Sequence, residues 1–272
     1  EWHNNSPSTD DNLDLVKYSA QPSNDQMNTS NNAWSQMNLG IERANLAIRG
    51  LREFGDIESN EDMAYLLGVA LTYRAVYYSD LVKAWGDVPA SFEPVTDETL
   101  FLPRSSRDDI YKQLLSDLEE AATYVPWPGQ SLTGTVEDVN KAFVKGLRAR
   151  IALAAGGYSQ YADGVRLSND PELARADMYA IALKECQDII NSGTVRLEPS
   201  FEQFWRDFND EENKSAGGES LWEIPFSDAR GRVLFTFAVE HQSVDKYTGQ
   251  ARGGVAGPLP YMFYDYEAVD TR

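Results

Sequence analysis

The chain has 272 residues, 42% hydrophobic and 11% aromatic, which is enough to build one sizeable core. Its 43 acidic against 24 basic residues leave a formal charge of −19, a surface that repels phosphate and argues against nucleic acid and anionic lipid headgroups as partners. No run of 18 apolar residues predicts a transmembrane helix, the single Cys186 admits no internal disulfide, and with no initiator Met or signal peptide present, a removed secretory address would leave no trace here.

Residues 1–32 are rich in Asn, Ser, Asp and Thr and read as a loop segment. Within them, Trp2-His3-Asn4-Asn5 holds a tryptophan that no apolar stripe demands. Two readings stand: Trp2 anchors the loop, or it offers a stacking face to a sugar ring while Asn5 serves the hydroxyls. A helix is predicted from about Asn32 to Phe54, with Trp34, Met37, Ile41, Ala44, Ile48 and Leu51 as its stripe and Gly55 at its end. Ser59 and Asp62 suggest a capping box for the next helix, from about Glu61 to Trp85. There Leu67, Leu71, Arg74, Tyr78, Leu81 and Trp85 share one face, and helical spacing assigns Trp34, Trp85, Tyr77 and Tyr78 to core packing. An arginine inside such a stripe is costly unless paired. Gly86 and Pro89 then end the helix, and a Pro-rich hairpin runs to Arg104.

The pattern repeats. Ser105 and Ser106 open a helix to about Tyr124, which Pro126 and Pro128 stop, and Glu119-Glu120 read as its exposed face. A partner from about Val139 to Ala155 places Phe143, Leu147, Arg150 and Leu153 on one face. Leu71-x-x-Arg74 and Leu147-x-x-Arg150 therefore look like equivalent positions in successive helix pairs. Both arginines are expected to be buried and paired, with Asp117 one possible partner. A third pair begins at Asp170-Pro171, with Asp as N-cap and Pro at the first helical position, and ends at Asn191-Ser192-Gly193; Cys186 on it reads as a small buried side chain. The fold predicted is mainly α: tetratricopeptide-like stacked helix pairs over 33–193, with long loops and minor β. Residues 194–272 form the third division. In it Phe201, Phe204, Trp205 and Phe208 suggest a short helix, Ser220–Phe226 a strand limited by Pro225, and 227–260 a long Gly-containing loop of the kind that often carries function.

Catalytic signatures are missing. His3 and His241 are the only histidines, so a multi-histidine zinc site cannot form, and GxSxG, P-loop and GxGxxG patterns do not occur. Carboxylate pairs suited to a glycosidase are abundant, but with 43 acidic residues they read as a solvated surface. The run Asp207 to Glu212 lacks the spacing and glycine of an EF-hand calcium loop and reads the same way. No metal, cofactor or enzymatic activity is expected.

A further set of residues occurs in a telling order: Arg74-x-x-x-Tyr78, Trp85-Gly-Asp-Val-Pro89, Pro103-Arg104, Asp117-Leu118, Leu147-x-Ala149-Arg150, Ile189-Ile190-x-x-Gly193, Glu219-x-Leu221-Trp222-Glu223 and Asp270-x-Arg272. It resembles the SusD/RagB family of outer-membrane nutrient-binding lipoproteins. The resemblance implies a non-catalytic cell-surface protein, held by a lipid anchor absent from this chain, that captures an oligosaccharide or polysaccharide and delivers it to a SusC-like TonB-dependent transporter. Peptide capture, as in the RagB branch, is the alternative within the family; a helical-repeat interaction scaffold and a glycoside hydrolase are the alternatives outside it. Trp2 and Asn5 are similar to a Trp-x-x-Asn ligand-contact pattern of starch-binding members. His241, Tyr247 and Arg252 fall in a loop, 235–252, that corresponds to a ligand-contacting region. Family members are about twice as long, so the chain is expected to be an internal fragment covering the helical part.

Overall fold

The computed structural model describes residues 2–4, 19, 21, 23–24, 27, 32–210, 215–226, 244, 256–258 and 260–270. These fall into two compact units, one of residues 35–223 and one that joins 1–34 with 224–272.

The first unit is a stack of helices. α1 (Ala33–Phe54) buries Ile41, Ala44 and Ile48, the centre of its predicted stripe. α2 (Glu61–Trp85) buries Leu67, Leu71, Tyr78 and Leu81 on one face, each contributing on the order of 1.5–3 kcal/mol by leaving water. Its cap is Asn60, whose Oδ1 accepts the Met63 N–H at 3.2 Å, rather than the expected Ser59. Gly86 ends it at φ 74°, a conformation that favours glycine. α3 (Arg107–Tyr124) is capped by Ser106, which accepts the Asp108 N–H at 3.1 Å. α4 (Lys141–Ala155) is capped by Asn140. A single 3₁₀ turn, Pro171–Leu173, carries the Asp170 cap and leads into α5 (Arg175–Ser192), which Gly193 closes in the left-handed conformation at φ 64°. From α2 to α5 each helix packs chiefly on its neighbours in sequence, the arrangement of a helical repeat.

Three expectations are corrected. The buried side of α4 runs through Ala142, Val144, Leu147, Ala149, Ile151, Ala152 and Ala155, so Leu153 and Arg150 are exposed. Small alanines rather than Phe143 and Leu153 define that side, because α4 is packed by α3 and α5 together. Cys186 is exposed; Glu185 beside it takes the buried position on α5. Residues 220–226 form no strand, although extended. Their polar backbone is satisfied against the segment before α4 instead: the Glu223 N–H donates to Val136 O at 3.0 Å, and Leu221 O accepts from Asn140 Nδ2 at 2.8 Å.

These bonds also move the boundary expected at residue 193. Residues 194–223 belong to the helical unit. The Trp222 ring stacks on Phe143 at 4.5 Å between centroids, and its indole N–H donates to Glu137 O. α6 (Phe201–Asp210) lies in this stretch and matches its prediction. A two-stranded hairpin, β2 (Ser159–Tyr161) with β3 (Gly164–Arg166), follows α4.

In the second unit, β1 (Trp2–Asn4) pairs antiparallel with β4 (Ala256–Pro258), and α7 (Pro260–Asp265) follows. Residues 2–4, expected as loop, are thus a strand.

Candidate functional site

The β1–β4 ladder is the geometry that bears on the predicted ligand residues. Its register sets Trp2 opposite Pro258, His3 opposite Gly257 and Asn4 opposite Ala256. β4 begins four residues after Arg252. The backbone of the Trp2 segment and the end of the Gly-containing loop, 250 residues apart in sequence, are therefore hydrogen-bonded neighbours. Asn5, His241, Tyr247 and Arg252 lie outside the described residues, and of Trp2 the strand position is described.

The structural residues form a closed network in the helical unit. Arg74 and Asp117 are 3% and 2% exposed. Arg74 Nε and Nη2 each donate to one Asp117 oxygen at 2.8 Å, a fork-to-fork pair. Nη1 donates to Asn45 Oδ1 at 3.0 Å and to Phe92 O at 2.8 Å. Asn45 passes the network on, donating to Ser91 O and Glu93 O. The Tyr78 hydroxyl donates to Ser91 O at 2.8 Å and accepts the Ser91 N–H at 2.9 Å. Burial pushes the Tyr78 phenol up to about 12, against the opposing pull of the Ser91 bond and of Arg74. The network thus ties α1, α2 and α3 to residues 91–93 of the hairpin that Pro89 and Arg104 close. Asn45 was not anticipated; its signal was an amide within the apolar stripe of α1.

Arg150 has no place in such a network. The guanidinium that α4 does hold in the stack is that of Arg148, half-buried and two residues earlier. Its Nη1 meets Glu185, which is 3% exposed, its Nη2 lies 2.9 Å from Glu119, and its Nε donates to Leu115 O. Lys145 Nζ reaches the other Glu185 oxygen at 2.6 Å and Asp188 at 2.9 Å.

A concavity that the sequence did not announce lies between α6 and residues 215–223, with an enclosed volume of about 180 Å³. Phe204 and Phe208 line it, with the carboxylates of Asp207 on the same helix and of Glu198, Glu219 and Glu223. Among the described residues, no group of His, Cys, Asp and Glu could hold a metal ion, and no helix is long and apolar enough to cross a membrane.

Residues 3–153 match a SusD-like family described as starch-binding and associating with the outer membrane. The chain belongs to this SusD-like family. That description names binding and no reaction. A SusD-like protein P38 from Formosa agariphila is 32% identical over 113 residues, 41% of this chain and 21% of that protein. Among solved structures, surface glycan-binding protein A from Bacteroides uniformis superposes with a TM-score of 0.71 at 20% identity, over 95% of this chain and 50% of that one. The Bacteroides thetaiotaomicron protein of the same name, solved with laminarihexaose, gives 0.70 at 20% identity, over 97% and 52%. These likenesses share the tetratricopeptide-like helical fold of the SusD-like chain. The chain spans about half the length of those solved relatives and a fifth of the curated one.

Proposed function

We propose that this chain belongs to a non-catalytic, lipid-anchored protein of the outer-membrane surface that binds a glycan and passes it to a SusC-like TonB-dependent transporter. The observation that carries the reading is the match of residues 3–153 to a family described as starch-binding and associating with the outer membrane. The ligand site is assigned to the loops around Trp2, Asn5 and the stretch holding His241, Tyr247 and Arg252. The β1–β4 ladder supports that placement, because it pairs the Trp2 strand with residues 256–258, which begin four residues beyond Arg252. The solved relative bound to laminarihexaose makes a β-glucan oligomer the first probe. An aromatic face gives stacking and a few side chains give hydrogen bonds, a combination of modest affinity that suits a relay.

The test is calorimetry of laminarihexaose with the parent, Trp2→Ala and Tyr247→Ala, with thermal melting as a control. Loss of one platform should cost about 1–3 kcal/mol, by analogy with base stacking, and leave melting unchanged. Shortened sugar products would make the protein a glycoside hydrolase. Equal binding by both variants and parent would place the site elsewhere.

A further inference from the structure

The concavity beside α6 is built differently from the assigned ligand site and belongs to the helical unit alone. Its apolar wall is a pair of rings, Phe204 and Phe208, whose centroids lie 6.2 Å apart. The lining carboxylates outside α6 are fixed in place. Glu219 Oε2 accepts the Glu198 N–H at 3.0 Å, and the Glu223 N–H is bound to Val136 O. Glu198 Oε1 is shielded from solvent and accepts no hydrogen bond; Arg196 Nη2, 3.3 Å away, approaches it as an ion partner only. Among the described residues, no lysine or arginine lines the space. A shielded carboxylate oxygen without a hydrogen-bond donor is costly, and among the described residues the charged groups that line this concavity are all acceptors.

A complementary ligand brings a positive donor and a flat apolar face. The volume, about 180 Å³, is below the roughly 300–1,000 Å³ of sites for drug-sized ligands, so it admits one ring and not an oligomer. Two adjacent rings present a platform broader than a linear side chain covers. We propose that this cleft binds one protonated amino-sugar residue, its ring against Phe204 and Phe208 and its ammonium toward Glu198, Glu219 and Glu223. The inference is independent of the glycan reading for the Trp2 segment.

The experiment is calorimetry of the 272-residue chain with a glucosamine trimer, its N-acetylated counterpart and tri-lysine. Acetylation keeps the ring and removes the charge. The glucosamine trimer should bind, more weakly as salt rises, and the N-acetylated trimer should bind about tenfold more weakly, as loss of a charge-assisted hydrogen bond implies. The double variant Glu219→Gln/Glu223→Gln should lose about tenfold for glucosamine while retaining oxygen acceptors. Phe204→Ala should weaken both sugars; if circular dichroism shows it unfolded, the carboxylate variant still decides. The same double variant should leave a laminarihexaose titration as it is in the parent, which separates this site from the other. Equal binding of the acetylated trimer, binding indifferent to the carboxylate changes, or a laminarihexaose titration altered by those changes overturns the proposal. So does tri-lysine bound as tightly as glucosamine and lost in the same variants, which would make the cleft a site for basic peptides.

Discussion

Arg74 and Arg148 both carry a guanidinium into the helical stack, and the stack holds them differently. Arg74 has one carboxylate, Asp117, for which it is the sole cation among the described residues; the other groups on it are an amide and a backbone carbonyl. Arg148 shares Glu185 with Lys145 and has a second, exposed carboxylate in Glu119. The first network is closed and the second is redundant. A buried pair that loses one member strands the other charge, whereas a shared carboxylate keeps a counterion. The contrast predicts unequal damage from the same substitution.

The largest effect belongs to Arg74→Met. It strands Asp117 and frees Asn45 and Phe92 O, and it should lower stability by about 3–5 kcal/mol in urea denaturation. A loss under half a kcal/mol would mean that the closed network does not hold the stack together. Next is the alkaline limb of the same network. Tyr78 ionises near 10 when unfolded and at about 12 when folded, so the stability it contributes is fully present below pH 10 and is lost as pH rises through 12. The parent should therefore lose up to about 3 kcal/mol more than Tyr78→Phe across that window, at ~1.4 kcal/mol per pH unit. Measuring the difference removes the other shifted tyrosines, such as half-buried Tyr65 and Tyr161, whose phenols desolvation also pushes to about 12. Parallel pH curves for the two proteins would contradict it. Arg148→Met should cost less, about 1.5 kcal/mol, the scale of one hydrogen bond to a charged group. Lys145→Met added to it should cost more than the sum of the single changes, because only then is Glu185 stranded. Additive losses would remove the claim of redundancy.

What was legible in the sequence follows the size of the side chains. On α1 and α2 the stripes are drawn by Ile41, Ile48, Leu67, Leu71 and Leu81, and the structure buries those residues. Arg74 stood out because large apolar residues surround it. On α4 the packing is done by Ala142, Ala149, Ala152 and Ala155, which a hydrophobic pattern weighs lightly. Phe143 and Leu153 drew the eye to the wrong side. Glu185 and Arg148 were invisible for a different reason: a charge looks like solvated surface until its partner on another helix is known. The β1–β4 pairing joins segments some 250 residues apart, which no local periodicity reports. The cleft beside α6 needs Glu219 and Glu223 brought near Phe204 and Phe208 by backbone bonds from Ala216 to Gly134 and from Glu223 to Val136, again a tertiary event.

The smallest predicted effect closes the comparison between the arginines. Residue 150 follows residue 148 by two positions, about 200° of helical turn at 3.6 residues per turn, so the two side chains leave α4 on nearly opposite sides. Arg150 is exposed, while the side chain of Arg148 is 11% exposed. An exposed arginine away from a network contributes little, because water screens its charge and holding it still costs side-chain entropy. Arg150→Met should therefore change stability by less than about 0.5 kcal/mol, against about 1.5 for Arg148→Met. Both variants belong in one urea series, since the parent baseline then cancels. If Arg150→Met proved as damaging as Arg148→Met, the inner face of α4 would be the one drawn by Phe143, Leu147 and Leu153, and the alanine-built packing against α3 and α5 would be wrong.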